Sequence, residues 1–304
     1  MRKNEQGATL ATTFHSQLSL DEQLVERASE GDADGIEQLL AIGANPKAFG
    51  ARALLLAAET GRADCLSLLI SSNSTIANAK ALILAATEGR IECVKLLIAV
   101  SDPKADDSAA LSASAARGHL ECVQLLLPVS MPLANHSAAL SSAAAMGHAE
   151  CARLLIPASD PRARKSQALH WAAAMGHAEC VKLLMPVSGP QADLRRALRA
   201  AALNGYAECV RLMLPPSGDF AHAELLDSVF EAGDERIAAI IIDHDPELVN
   251  AMDLLNHAFM ATQAGHAGLA ALLSSIIEAR ALTAALPRDG CLDAATPVPA
   301  SRRL

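Results

Sequence analysis

The sequence predicts an all-α solenoid in which short helix pairs stack side by side along the chain. The first observation is a glycine that recurs at intervals of 28 to 32 residues. The second is a short helical segment on each side of it, since helices of about eight residues persist only when neighbours stack on them. The third is composition: 51% of residues are hydrophobic but only 2% are aromatic, so the core must consist of Ala and Leu. The recurring glycines are Gly31, Gly61, Gly89, Gly118, Gly147, Gly176, Gly205, Gly233 and Gly265.

The unit around Gly147 illustrates one repeat. The stretch SAALSSAAAM before it predicts a first helix of small residues, and AECARLLI after it predicts a second helix. Gly147 favours a left-handed stop between them, because glycine adopts positive φ without steric cost. PASDPRARKS then crosses to the next unit, with Pro157 and Pro161 preventing helix continuation. Since such repeats contact only their neighbours, we expect Leu154 and Leu183 to pack in the interfaces between them.

The ends of the array differ from its interior. Ser19-Leu-Asp-Glu22 is a capping-box pattern, which predicts that the first helix starts directly after Ser19. LLSSIIEARALTAAL, near the other end, predicts a closing helix over the last apolar face. The sequence therefore predicts three segments: a disordered leader at 1–18, a solenoid of about eight or nine units at 19–284, and a disordered tail at 285–304.

Composition and charge exclude several classes of function. The formal net charge is −9, with a single Trp and a single Tyr, which argues against electrostatic and stacking contacts with nucleic acid. The amino terminus has no apolar stretch of signal-peptide length, and no run of about twenty apolar residues predicts a membrane span. We therefore expect a soluble, cytoplasmic monomer that binds neither nucleic acid nor membranes.

The stretch SQALHWAAAMGHAECVKLL, from Ser166 to Leu184, resembles the ankyrin repeat, whose pattern is T-P-L-H-x-A-A-x-x-G-H-x-x-x-V-x-x-L-L. The opening unit from Leu24 to Pro46, LVERASEGDADGIEQLLAIGANP, is similar to the same pattern and ends on Gly-Ala-Asn-Pro. The resemblance covers roughly residues 20 to 280. It implies stacked helix-turn-helix repeats and a scaffold that binds other proteins.

The units depart from the ankyrin pattern in the segment that crosses between repeats. Most are 29 residues long, about four fewer than the family period of about 33. The Thr-Pro of the family is replaced by Ser-Ala, Ser-Gln or Arg-Arg. We therefore expect β-hairpin fingers that are shortened or absent, and a nearly all-helical array.

Six of the seven cysteines lie four residues after a recurring glycine, and only Cys291 falls outside this pattern. A disulfide framework, metal ligation and core packing are the alternatives. Packed helices lie about 8–10 Å apart, whereas a disulfide needs Cα atoms within about 7 Å and zinc needs sulfur at about 2.3 Å. We therefore predict six unpaired, buried thiols, as in a reducing compartment, and an accessible Cys291. The six are Cys65, Cys93, Cys122, Cys151, Cys180 and Cys209.

The repeated His-x-Glu invites comparison with zinc deaminases, which combine H-x-E with C-x-x-C. Here three copies occur at repeat spacing, at His119, His148 and His177, and no C-x-x-C is present, so a structural role is favoured. The glutamates fall in the first turn of the second helix, where the helix dipole favours negative charge. The histidines are expected to satisfy backbone groups at the turn, as the resemblance implies. No other catalytic motif occurs, and we expect no enzymatic activity, cofactor or metal.

Positions that differ between the copies are the candidates for partner recognition. In the ankyrin resemblance, the two positions before each glycine line a concave face, where Met146, Met175 and Leu203 would form an apolar strip. The alternative is that these side chains only pack between repeats. Trp171 is expected in the core rather than in contact with a partner, because the resemblance makes its position a buried one.

Basic residues cluster in two adjacent crossing segments. Complementary charge steers association and sets specificity, so the cluster either docks an acidic partner or is a solvated loop surface. We expect the second group, Arg195, Arg196 and Arg199, to flank the apolar strip. The whole cluster comprises Arg162, Arg164, Lys165, Arg195, Arg196 and Arg199.

The sequence as a whole indicates a non-catalytic scaffold that binds a protein partner through its concave face. The Ala-rich, Lys-poor composition suggests a bacterial source, and two alternatives follow. The protein is either an effector delivered into host cells by a route that needs no signal peptide, or a regulatory subunit of a separately encoded enzyme. A secretion locus beside the gene would favour the effector, and an enzyme operon would favour the subunit.

Overall fold

The computed structural model describes residues 18–189, 191–214, 222–244 and 251–285. The leader and tail predicted from the sequence fall almost entirely outside these ranges, as does Cys291. The described chain is helical, and its helices follow one another in pairs. We call each pair a repeat and refer to its members as the first and the second helix.

The first compact unit, Met1–Ala221, contains seven consecutive repeats in its described part. Their first helices have 11 to 13 residues, and their second helices have 7 to 9. Two further residue triplets, 156–158 and 185–187, form 3-10 turns after a second helix. The helices of repeats 1 to 7 are α1 Leu20–Glu30, α2 Ala33–Ala41, α3 Ala48–Thr60, α4 Ala63–Ile70, α5 Thr75–Thr87, α6 Ile91–Ile98, α7 Ala105–Arg117, α8 Leu120–Leu126, α9 Ala134–Ala145, α10 Ala149–Leu155, α11 Ala163–Ala174, α12 Ala178–Leu184, α13 Gln191–Leu203 and α14 Ala207–Met213.

The second compact unit, His222–Leu304, contains two more repeats in its described part. Repeat 8 consists of α15 His222–Ala232 and α16 Glu235–His244, and repeat 9 consists of α17 Ala251–Ala264 and α18 Ala267–Ala285. No strand occurs anywhere in the described ranges. The predicted all-α array of helix pairs without β-hairpin fingers is therefore confirmed for this part of the chain.

The helices start and stop where the sequence predicts. At the start of α1, the Ser19 N–H donates to Oε2 of Glu22 at 2.8 Å, and the Glu22 N–H donates to the Ser19 hydroxyl oxygen at 3.3 Å, which completes the capping box. All nine recurring glycines lie at the end of a first helix with φ between 67° and 86°. The backbone there turns left-handed, so each first helix ends and the second helix starts within three or four residues.

A buried serine near the start of the first helix joins consecutive repeats. Ser108, Ser137 and Ser166 are each 1% exposed. Each hydroxyl oxygen accepts a backbone N–H at 2.8 Å from the crossing segment that leads into the next repeat. The donors are the N–H groups of Met131, Asp160 and Gly189. Because the serine end of each bond is buried, the bonds fix how each crossing segment lies against the repeat it leaves.

The same three serines end a left-handed turn that opens the first helix. Residues 106–108, 135–137 and 164–166 have φ between 44° and 62°. This backbone costs about 1–2 kcal/mol per residue for side chains other than glycine, and the buried hydrogen bond of the serine offsets part of that cost. The short crossing segment thus enters the helix through a tight turn rather than a β-hairpin.

Small side chains fill the space between the helices. The first helices of neighbouring repeats pack against each other more extensively than the second helices do, because their buried faces consist largely of Ala. In the second helices, Leu155 and Leu184 are fully buried, whereas Leu154 and Leu183 are only half-buried. The expectation that Leu154 and Leu183 fill the interfaces was therefore wrong by one residue. The helical period places Leu155 on the same inward face as Cys151, four residues earlier.

Leu155→Ala should lower the free energy of unfolding by about 2–5 kcal/mol, because it leaves a cavity in a core of short, fixed helices. Leu154→Ala is the matched control, since it removes the same atoms from a half-buried position and should cost clearly less. Urea unfolding followed by circular dichroism measures both variants. Equal losses for the two variants would contradict the packing described for α10.

Candidate protein-binding surface

A histidine directly after three of the recurring glycines bonds to the preceding repeat. The Nε2 atoms of His119, His148 and His177 lie 3.0–3.1 Å from backbone carbonyl oxygens near the end of the preceding first helix. Carbonyls at a helix end lack intrahelical partners, so an Nε2–H donor satisfies them. The prediction that these histidines satisfy backbone groups at a turn is confirmed. The acceptors belong to Thr87, Ala116 and Ala145.

The same histidine ring lies against the glycine of the preceding repeat. Gly147 has φ 78°, and a Cβ added there would lie 2.5 Å from Nδ1 of His177. Glycine is therefore required twice at this position, for its left-handed backbone and for its lack of a side chain. Arg90 covers Gly61 in the same way, and its Nε donates to the carbonyl oxygen of Glu59 at 2.9 Å.

The predicted apolar strip lies on the surface of the first helices. Met146 is 60% exposed, and Met175 and Leu203 are each 46% exposed. These exposures favour a surface strip over the alternative of packing between repeats. Met146 and Met175 occupy equivalent positions directly before a glycine, whereas Leu203 lies one residue earlier in its repeat and Asn204 takes the methionine position.

Trp171 departs from its expected place in the core. It is 37% exposed and lines a shallow groove of about 250 Å³ together with Met146. The expectation was wrong because the groove floor beside the indole consists of residues too small to cover it. Met175 and Leu203 lie outside this groove. Its other lining residues are Ala116, Asn135, Ala138, Ser141, Ser142, Ala145, Arg164 and Gln167.

The predicted arginines lie on α13, the next first helix after the one that carries Trp171. Arg195, Arg196 and Arg199 are all exposed. An Nη of Arg196 donates to the carbonyl oxygen of Lys165 at 2.7 Å, which ties the side chain to the preceding repeat. The structure also brings Arg164 into the groove. The sequence indicated Arg164 only as a member of the basic cluster.

His170, next to Trp171, does not add to this positive charge. Burial lowers the pKa of His170 below its usual range, and the charge of Arg196 lowers that pKa further. The imidazole ring lies with its centroid 5.6 Å from that of Trp171. Because His170 is neutral near pH 7, the positive charge here belongs to guanidinium and ammonium groups.

Comparison with known proteins identifies the repeats. The sequence profile of ankyrin repeats matches the chain in three copies, over residues 24–108, 82–165 and 158–223, which together extend over more than half of its length. The chain belongs to the ankyrin repeat family. The crystal structure of the human ASB11 ankyrin repeat domain is similar, with a TM-score of 0.50 and 22% identity over 55% of this chain and 84% of that chain. This likeness shows the fold. No curated protein gives a significant match.

The ankyrin repeat is a protein–protein interaction module, and its fold is a non-catalytic scaffold.

The six cysteines in these ankyrin repeats are unpaired and buried, as predicted. Burial raises the pKa of all six thiols, to about 11 for Cys93 and Cys180. They therefore stay protonated near pH 7 and are poor nucleophiles.

The His-x-Glu pairs of the ankyrin repeats contribute to the framework as well. Their glutamates lie in the first turn of a second helix, and Glu179 forms an ion pair with Lys182 at 2.7 Å.

Among the described residues, no group of three or more His, Cys, Asp or Glu side chains could hold a metal ion. Within the same ranges, no helix has both the length and the apolar character that a membrane span needs.

Gly147→Ala should destabilise the ankyrin array by at least about 2 kcal/mol, because it adds a clash with His177 to the cost of a left-handed backbone. Gly50→Ala is the matched control, since Gly50 has a φ of 68° but nothing within 4 Å of an added Cβ. It should cost less. Thermal unfolding of both variants measures the difference.

The His177→Ala background separates the clash from the backbone cost. With the ring removed, Gly147→Ala should cost about 1 kcal/mol less than it does in the wild-type chain. Strict additivity of the two substitutions would contradict the contact between the ring and the glycine.

Proposed function

We propose that this chain is a non-catalytic scaffold that binds a partner protein through the first helices of repeats 5 to 7. The observation that supports this most strongly is the exposure of Met146 beside Trp171 in one groove. Large apolar side chains that contribute to no core, on a face otherwise built of small residues, are typical of interaction sites. The proposed surface comprises Met146, Met175, Leu203, Arg195, Arg196 and Arg199, as predicted from the sequence, and Trp171.

The side chains of Met146, Met175 and Leu203 take no part in the hydrogen bonds that join neighbouring repeats within the described ranges. The glycine recurs in repeats 3 to 7, and the histidine and the serine that form the joining bonds recur in repeats 4 to 6, while the residue directly before the glycine changes. It is Glu88, Arg117, Met146, Met175 and Asn204 in repeats 3 to 7. A position that varies within a copied framework can serve recognition without disturbing the stacking of the repeats.

Charge supports the same surface. Arg195, Arg196 and Arg199 lie on α13, the next first helix after the one that carries Trp171, and all three are exposed. Exposed charges of one sign accelerate encounter with a partner of opposite charge, and salt weakens that effect. The apolar strip would then supply most of the affinity, and the arginines would supply orientation and rate.

The proposal places the protein in the cytoplasm and assigns it no catalytic role. A reducing compartment keeps thiols unpaired, and the protonated cysteines described above offer no nucleophile. If the partner is a separately encoded enzyme of the same cell, the chain is a regulatory subunit of that enzyme. A partner in a host cell would make it an effector, and the recognition surface is the same in both cases.

Met146→Glu combined with Met175→Glu should abolish capture of the partner, because both changes place a charge where an apolar contact forms. We expect capture to fall at least about tenfold, equivalent to about 1.4 kcal/mol. The melting temperature should change little, since both side chains are exposed. Affinity capture from extracts of the source cells, followed by quantitative mass spectrometry, compares the variant with the wild type.

Met131→Glu is the matched control, because Met131 is 43% exposed but lies in a crossing segment. It should capture the same proteins as the wild type. If the double variant unfolds, the methionines belong to the core and the assignment fails. If the folded double variant captures its partner in full, recognition takes place elsewhere, on the crossing segments.

A further inference from the structure

The groove beside Trp171 has two chemically different ends. Met146 and Trp171 line its apolar end, and the floor between α9 and its neighbours consists of alanine and serine side chains. Asn135, Arg164 and Gln167 line the other end, where α9 and α11 start. A floor of such small residues allows the backbone of a bound peptide to approach the helices closely.

Arg164, at the polar end, and Arg199, on the next first helix, have positive charge that the chain does not neutralise. Within the described ranges, the guanidinium groups of Arg164 and Arg199 form no hydrogen bond or ion pair. Arg196 donates to the backbone carbonyl of Lys165, which fixes its position and leaves its charge in place. The nearby carboxylate of Asp193, at the start of α13, accepts a hydrogen bond from the buried Ser166 hydroxyl at 3.2 Å and not from an arginine of the described ranges.

The two ends lie a few peptide residues apart. Gln167 and Trp171 are four positions apart on the right-handed part of α11, which corresponds to about 6 Å at the helical rise, and Arg164 lies in the left-handed turn that precedes it. An extended peptide covers that distance in about two residues and reaches the turn with about one more. One apolar and one acidic side chain at that spacing would therefore reach both ends of the groove at once.

We propose that this groove binds an acidic linear segment of a partner protein, anchored by one large apolar residue. The apolar side chain packs against Met146 and Trp171, over the small-residue floor. The carboxylates, about three positions away, pair with Arg164, with Arg196 and Arg199 beyond it on the next first helix. The inference rests on the function proposed above and specifies the chemistry of the partner.

Guanidinium groups favour this class of ligand. They bind carboxylates through paired hydrogen bonds, which adds direction to the attraction between charges. A nucleic acid would also be attracted by the arginines, but single strands bind through several stacked bases. Trp171 is the single tryptophan of the chain, and no other aromatic side chain lines this groove.

Selection from a displayed library of random peptides tests the proposal on the full-length protein. We expect enrichment of peptides in which Asp or Glu lies about three positions from Leu, Ile, Phe or Met. An enriched peptide, synthesised without tryptophan, should change the fluorescence of Trp171 saturably, and its affinity should fall as salt is added. Arg164→Glu combined with Arg199→Glu should weaken binding at least about tenfold.

Arg211→Glu is the matched control, because Arg211 is an exposed arginine on the second helix α14, and it should bind the peptide like the wild type. Enrichment of basic or uncharged peptides, or full affinity in the Arg164–Arg199 variant, would overturn the proposal. So would a single-stranded oligonucleotide that changes Trp171 fluorescence as strongly as the peptide does.

The outcome also separates this inference from the function on which it rests. No enrichment, combined with loss of partner capture in the Met146–Met175 variant, would reject the acidic segment and leave the scaffold function standing. Full capture by that folded variant would reject the proposed recognition surface itself.

Discussion

Each repeat in the first unit is completed by its neighbour, and the rest of the structure depends on that constraint. Helices of this length are marginal alone, so their ends need partners from outside the pair. At one end, the ring of His177 covers Gly147, and its Nε2 bonds to the carbonyl oxygen of Ala145 at 3.0 Å. At the other end, Ser137 accepts the N–H of Asp160 at 2.8 Å. These contacts fix both the spacing and the rotation between neighbours.

The close packing of the first helices limits the apolar area of their outer face. Alanine and serine allow the helices to pack tightly, but they leave a face with little apolar area of its own. In the proposed function, the few large residues on that face, Met146 and Trp171 among them, account for most of its capacity to bind. Because the framework bonds use other positions, this face can change between repeats without loss of stacking. The stability of the array and the proposed recognition of a partner would thus depend on separate sets of residues.

The copied part of the structure could be predicted from the sequence because each signal occurs several times at one spacing. The glycine stops, the buried cysteines and the histidine contacts belong to this part. Trp171 occurs once, and its exposure depends on the small size of Ser141 and Ser142, which a family pattern does not include. The inward face of α10 was misjudged because Leu154 and Leu155 are the same residue type, and only packing distinguishes them. The left-handed turns that open α7, α9 and α11 have no signature beyond the serine that ends each one.

The most direct measurement is native-state hydrogen exchange, by mass spectrometry, on the Ser137→Ala variant. The substitution leaves the Asp160 N–H without its buried acceptor, at a cost of about 1–3 kcal/mol. Since each repeat contacts only its neighbours, faster exchange should be confined to repeats 5 and 6. Ser142→Ala, which removes a hydroxyl from the groove floor, should leave exchange unchanged. Faster exchange spread evenly over repeats 1 to 7, or unchanged exchange around Asp160, would contradict the dependence of each repeat on its neighbour.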